Sequence, residues 1–258
     1  MKHYLIGAGL AAVLSAGPVV AADMQVKAPV YKAQPAIVTY NWTSCYLGAN
    51  VGYASANESW VEKTTSSRDF GNFEGSNSFN GGVVGGQIGC DYKLDGAWVV
   101  GIQGMYNWAD LNESHPYIDD TRFTDGSKIS SLATLTGRIG YLVRPQALLY
   151  IKGGAAWVRN TFTDTCAAPS VDGYVCPGVA KVTRSGWTLG GGLEYMLERN
   201  WSIYAEFNYM DFGRNIESLV YSSAPYGYNP EIKQSVQAIQ VGLNYRFNIA
   251  NTSVVSKY

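Results

Sequence analysis

The chain has 258 residues, only 15% of them charged, with 19 Lys and Arg against 20 Asp and Glu and a formal net charge of -1. An average soluble domain carries about 25% charged residues, and balanced charge leaves no basic excess to hold a phosphate backbone, which excludes nucleic acid as a partner. The 29 Gly, 19 Tyr and 7 Trp point to a β-rich fold whose aromatics meet something other than bulk water.

The chain opens with Lys2, continues with an apolar run from Leu5 to Leu14, and reaches small residues at Val20-Ala21-Ala22. A basic start, a short apolar stretch and a small-residue site read as a secretory signal peptide, residues 1–22, cleaved near Ala22. The apolar run is far below the roughly 20 residues of a spanning helix, and no later stretch reaches that length. Residues 23–41 hold Pro29 and Pro35 without periodicity and read as an extended periplasmic arm.

From Trp42 onward the sequence alternates with period 2, the signature of strands. Cys45, Leu47, Ala49, Val51 and Tyr53 share one face, opposite Tyr46, Gly48, Asn50 and Gly52. Val84, Ile88, Cys90 and Tyr92 then oppose Gln87, Gly89 and Asp91. A third run sets Trp98, Val100, Ile102, Tyr106 and Trp108 against Gln103 and Asn107, and a fourth sets Leu135, Ile139 and Tyr141 against Thr134, Thr136 and Arg138. The fifth places Leu149, Ile151 and Trp157 opposite Tyr150 and Lys152, and the sixth Trp187, Leu189, Leu193 and Tyr195 opposite Thr188 and Glu194. The seventh opposes Trp201, Ile203 and Phe207 to Tyr204, Glu206 and Asn208, and the eighth Ile239, Val241, Leu243, Tyr245 and Phe247 to Gln240, Asn244 and Arg246.

Each of these runs is near the about 9–11 residues with which a tilted strand crosses a bilayer. The connections alternate: short near 93–97, 144–145 and 197–200, long near 55–78, 110–128, 159–184 and 211–232. On the apolar face, Tyr92, Trp98, Tyr141, Tyr195, Trp201, Tyr245 and Phe247 gather at the short-turn end. Tyr53, Trp108, Trp157, Trp187 and Tyr209 gather at the long-connection end. Two aromatic belts around an apolar band suit lipid headgroups on both sides of a membrane. The second face carries Arg138, Lys152, Glu194, Glu206 and Arg246 in mid-strand, a poor lining for the apolar cup of a soluble barrel. The expected fold is all-β, an eight-stranded antiparallel up-and-down transmembrane β-barrel over residues 42–247, in the lipid of the cell outer membrane. Sixteen strands of ~10 residues, as in a large porin, would leave too little chain for loops.

Export puts the four cysteines where disulfides form. A hairpin turning near residue 68 brings Cys45 opposite Cys90, and Cys166 and Cys176 suit a local loop bridge. With no Cys-x-x-Cys, and with His115 alone after signal cleavage, neither a zinc site nor another cofactor is expected.

The last run, Ile239 to Phe247, resembles the closing β-signal of outer-membrane barrels in its terminal Phe247, its Tyr245 and the alternating Ile239, Val241 and Leu243. Residues 45–53, 85–89 and 185–195 resemble the small alphaproteobacterial outer-membrane antigens, the RopB-like family, over about 42–247. The resemblance implies an OmpA-like barrel with roles in envelope integrity, antigenicity and host contact, and haem binding in some members. It implies outer-membrane lipid and lipopolysaccharide as surroundings, and the barrel assembly machinery as the partner that reads the β-signal. Residues 248–258 depart from the pattern, since a β-signal usually ends the chain, and read as a periplasmic tail.

Inside a narrow barrel the five mid-strand charges must pair, because unpaired burial costs several kcal/mol each. Paired, they close the lumen of a structural and surface-contact protein without catalysis; hydrated, they line a small-solute channel. The long connections carry acid, including Asp110, Glu113, Asp119, Asp120 and Asp125, without the ordered spacing of a calcium loop. Ser114-His115 is the one pair suggesting a lipid-modifying enzyme, but neighbours in a loop lack nucleophile–base geometry. Haem has no axial pair beyond His115. The loop aromatics Tyr117, Phe123, Tyr221, Tyr226 and Tyr228 suit contacts with host or other extracellular ligands.

Overall fold

A computed structural model of the chain describes residues 40–63, 71, 73–116, 122–166, 170–171, 174–175, 178–221 and 229–247. Eight long strands make a ring: β1 (Ser44–Glu62), β2 (Phe73–Lys93), β3 (Trp98–Pro116), β4 (Phe123–Arg144), β5 (Ala147–Cys166), β6 (Gly178–Met196), β7 (Trp201–Ile216) and β8 (Pro230–Phe247). Each pairs antiparallel with the next in sequence, and β8 closes on β1 through a register running from Cys45 opposite Phe247 to Glu62 opposite Pro230. Closure leaves no unpaired edge, the condition for β-structure in lipid. Two-residue strands at Ser170–Val171, Tyr174–Val175 and Val220–Tyr221 decorate the long-connection end.

The strands run from 16 to 22 residues, well beyond a bilayer crossing. The segments expected as long loops are therefore in large part strand, and β1 gives the reason. Up to Tyr53 its outward positions are apolar (Leu47, Val51) and its inward ones polar (Asn50). Beyond Tyr53 the parity continues but the chemistry inverts: Ser55, Asn57 and Ser59 face out, and Ala54, Ala56 and Trp60 are buried inside. On β8 the inversion falls at the paired position, with Ile239 and Val241 outward below and Gln237, Ser235 and Lys233 outward above. Below the switch the solvent outside is hydrocarbon; above it, water outside drives apolar side chains into a core of their own.

Register shifts at Trp60/Val61, Trp108/Leu111, Ile129/Ser131 and Lys233/Ser235 lie in this extension. The last is made by Gly213, whose φ of 67° most side chains avoid. At the other end the turn before β3 uses Gly96 at φ 81°, and Leu94 N–H bonds Trp98 O at 2.9 Å. Cys45 and Cys90 sit opposite one another near this end and are joined by a disulfide.

Candidate functional site

The ring's inward side chains stack in layers, starting at the short-turn end. Trp42, Val99, Leu148, Tyr150 and Met196 form a buried cluster there, with Tyr40 and Leu142 packed against it. Trp42 precedes β1 rather than opening it. Its indole turns inside the ring, where Nε1 donates to Pro145 O at 3.0 Å.

The charges come next. Arg138 donates from Nε to Asp91 Oδ1 at 2.8 Å, makes a second, shorter bond to Asp91 through Nη2, and reaches Glu194 Oε2 from Nη1 at 3.0 Å. Arg246 bridges the same two acids, donating to Asp91 Oδ2 at 2.9 Å and Glu194 Oε1 at 2.7 Å. The guanidinium carbon of Arg138 lies 4.9 Å from the Tyr46 ring centroid, and that of Arg246 lies 4.7 Å from Trp42. Opposite Arg138 on the neighbouring strand, Lys152 Nζ donates to Glu206 Oε1 at 2.7 Å and Gln103 Oε1 at 2.9 Å, while the Tyr150 hydroxyl donates to Glu206 Oε2 at 2.9 Å. Amides connect the two sets. Asn208 donates to Glu206 and Gln240, Gln240 to Asn50, Asn50 to Gln87, Gln87 to Asn244, and Asn244 to Glu194.

All five charges singled out in the sequence thus meet in one network. Asp91, 5% exposed, completes it. The sequence set held three cations and two anions, and Asp91 balances it. Its signal was its parity with Gln87 and Gly89 on β2.

Beyond the amides, and past the outer belt, Ala54, Phe79, Leu111, Ile129, Leu132 and Val236 belong to the largest apolar cluster. Above it lies a polar tier. Glu58 Oε1 accepts from Ser127 Oγ at 2.9 Å and Gln234 Nε2 at 2.6 Å, and Gln234 Oε1 accepts from Asn160 at 2.8 Å. Glu58 lies five positions past Tyr53, outside the bilayer span, and burial pushes its carboxyl up to about 7 against the donors that hold it down. Trp60, Phe162, Ala180, Leu219 and Ile232 form a further apolar cluster. Beside it Arg184 pairs with Glu217 at 2.8 Å and lies 5.1 Å from the Phe162 ring. The tier around Glu58, Trp60, Phe162 and Arg184 was not singled out in the sequence, because those residues fall in stretches read as loops.

Outside, Tyr92, Trp98, Tyr141, Tyr195, Trp201, Tyr245 and Phe247 are exposed in one belt and Tyr53, Trp108, Trp157 and Trp187 in the other. Ile239, Val241, Leu243, Tyr245 and Phe247 line the outward face of β8. Ser114 and His115 lie within β3 rather than a loop, with the His115 backbone opposite Asp125. Asp110 faces outward and pairs with Lys128 at 3.6 Å. Cys166 ends β5 opposite Phe123; its expected bridge to Cys176 lies outside the described residues. So do Asp119, Asp120, the signal segment, the arm up to residue 39 and the tail 248–258. Among the described residues no group of three His, Cys, Asp or Glu is placed to hold a metal ion.

The family model described as outer membrane protein beta-barrel domain matches residues 10–247. The chain belongs to that family. This outer-membrane β-barrel is similar to the 31 kDa outer-membrane immunogenic protein of Brucella melitensis, at 28% identity over 242 residues, 92% of this chain and 96% of the relative. It is 26% identical over 230 residues to the 25 kDa outer-membrane immunogenic protein of Brucella abortus, covering 88% and 90%. Among solved structures, the outer-membrane protease OmpT of Escherichia coli shares the fold, with a TM-score of 0.51 at 10% identity over 81% of this chain and 99% of that one. The attachment invasion locus protein Ail of Yersinia pestis gives 0.38 at 15% identity over 79% and 99%. The protein resides in the outer membrane, where its two aromatic belts meet the headgroups on either side.

Proposed function

We propose that this barrel acts without catalysis, as a structural element of the envelope and a surface for extracellular contacts, with a lumen held shut. The observation that carries the reading is the six-charge network, paired within the ring and flanked by buried apolar clusters on both sides. A hydrated ion would have to cross the cluster around Leu111 and Ile129, and then displace carboxylates already bound to arginine. Removing one partner from such a pair costs about 3–5 kcal/mol, so thermal opening is rare. The immunogenic relatives support exposure of the outer connections to external partners. The likeness to OmpT concerns the fold alone. Lipopolysaccharide and outer-membrane lipid surround the belts, and the outward face of β8 offers the assembly machinery its alternating signal.

Deleting the gene tests this reading. A strain without the protein becomes sensitive to deoxycholate and to large hydrophobic antibiotics, and the wild-type gene restores resistance. Unchanged resistance combined with slower uptake of a small hydrophilic solute would replace the structural role with a channel.

A further inference from the structure

Just beyond the outer belt, the outward face of β5 and β6 carries two cations separated by hydroxyls. Arg159 lies opposite Thr183, Thr161 opposite Lys181, and Trp157 opposite Ser185. Arg159, Lys181, Thr183 and Ser185 are exposed. They alternate in step with Trp157 and Trp187, so they face the same way as the belt. Arg159 and Lys181 are diagonal cross-strand neighbours, with Cβ atoms about 7–8 Å apart, and both side chains are long enough to converge on one anion. Neither enters an ion pair among the described residues, which is also true of outward Lys233, whereas Lys128 and Arg214 are matched by Asp110 at 3.6 Å and Glu231 at 3.4 Å.

The height of the strip identifies its ligand class. Arg159 is two residues past Trp157, about 7 Å along a tilted strand. The belt residues sit at headgroup level, so the strip reaches the phosphates of the outer leaflet. We infer that Arg159 and Lys181, with Thr161 and Thr183 between them, bind the phosphate of a phosphorylated glucosamine headgroup, that of the lipopolysaccharide anchor. A guanidinium and an ammonium supply charge-assisted bonds to phosphate oxygens, and the threonine hydroxyls supply neutral donors. A lipid held here is fixed against two strands, which gives the structural role proposed above a defined attachment point. The inference rests on the outer-membrane placement and not on the state of the lumen.

The test uses the full chain in a zwitterionic detergent, titrated with diphosphoryl lipid A and read by native mass spectrometry. Each cation near an anionic surface adds about 1 kcal/mol, so Arg159→Gln/Lys181→Gln weakens binding about thirtyfold. Added salt weakens the wild-type complex. Dephosphorylated lipid A binds the wild type no better than diphosphoryl lipid A binds the double variant, and inorganic phosphate does not compete. Heat-dependent electrophoretic migration checks that the variant is folded, and Arg159→Lys, which keeps the charge, retains most of the affinity. Equal affinity of folded wild type and double variant would overturn the inference. So would equal binding of the dephosphorylated lipid, or full competition by inorganic phosphate. Channel activity of the wild type would sink the closed-lumen reading and leave this result standing.

Discussion

Arg138→Met removes the side chain that donates two bonds to Asp91 and one to Glu194. Both acids keep Arg246, but the network, balanced at three cations and three anions, is left with one uncompensated negative charge. Breaking one side of a buried pair costs about 3–5 kcal/mol. Asp91→Asn has the mirror effect, leaving two arginines to share Glu194. The double variant restores balance, with Arg246 on Glu194 and Lys152 on Glu206. Its loss is expected to fall short of the sum of the single losses by up to about 3 kcal/mol, the range for residues in one network. Urea unfolding in phospholipid vesicles, followed by tryptophan fluorescence and by electrophoretic migration of unheated samples, measures all four corners of the cycle. Losses that add within about 0.5 kcal/mol, as independent sites do, would refute the idea that the lumen charges act as one unit.

Three further outcomes follow from the same structure. Ala49 and Ser59 both face outward on β1, on opposite sides of the Tyr53 belt, Ala49 midway between the two belts; Ala49→Arg is expected to cost about 2–4 kcal/mol in lipid and Ser59→Arg almost nothing, and equal costs in the same urea titration would misplace the membrane boundary. Cys45→Ser/Cys90→Ser releases a loop of sequence separation 45, so chain entropy predicts a loss of about 4 kcal/mol; an unchanged urea midpoint would show that ring closure alone fixes this hairpin. Glu58 has a folded-state value near 7 against 4.5 for the free group, so between these pH values the fold keeps a proton that the unfolded chain has released. Stability therefore falls by about 3 kcal/mol as pH rises from about 4.5 to about 7 and levels above that; Glu58→Gln should flatten that slope, and an equal slope in the variant would remove Glu58 as its source.

What could be read from the sequence follows from contrast between faces. Leu47, Val51 and Tyr53 against Tyr46, Asn50 and Gly52 alternate with a strong hydropathy difference, because lipid outside and a polar interior press in the same direction. Past Tyr53 the same strand alternates Ala54 and Ala56 with Ser55 and Asn57. Small residues and an inverted sense hide the period, so the extension read as loop. Asp91 was legible by parity, yet its pairing with Arg246, 155 residues away, needed the ring. The tier around Glu58 was beyond reach for the same reason: its partner Gln234 is 176 residues distant, and no local pattern announces it.

Whether the lumen is filled is tested most directly by electrical recording from the purified full chain in a planar lipid bilayer. The wild-type protein is expected to give no single-channel steps at moderate voltage. Stable, reproducible steps from the wild type, lost when the protein is heat-denatured, would contradict the account.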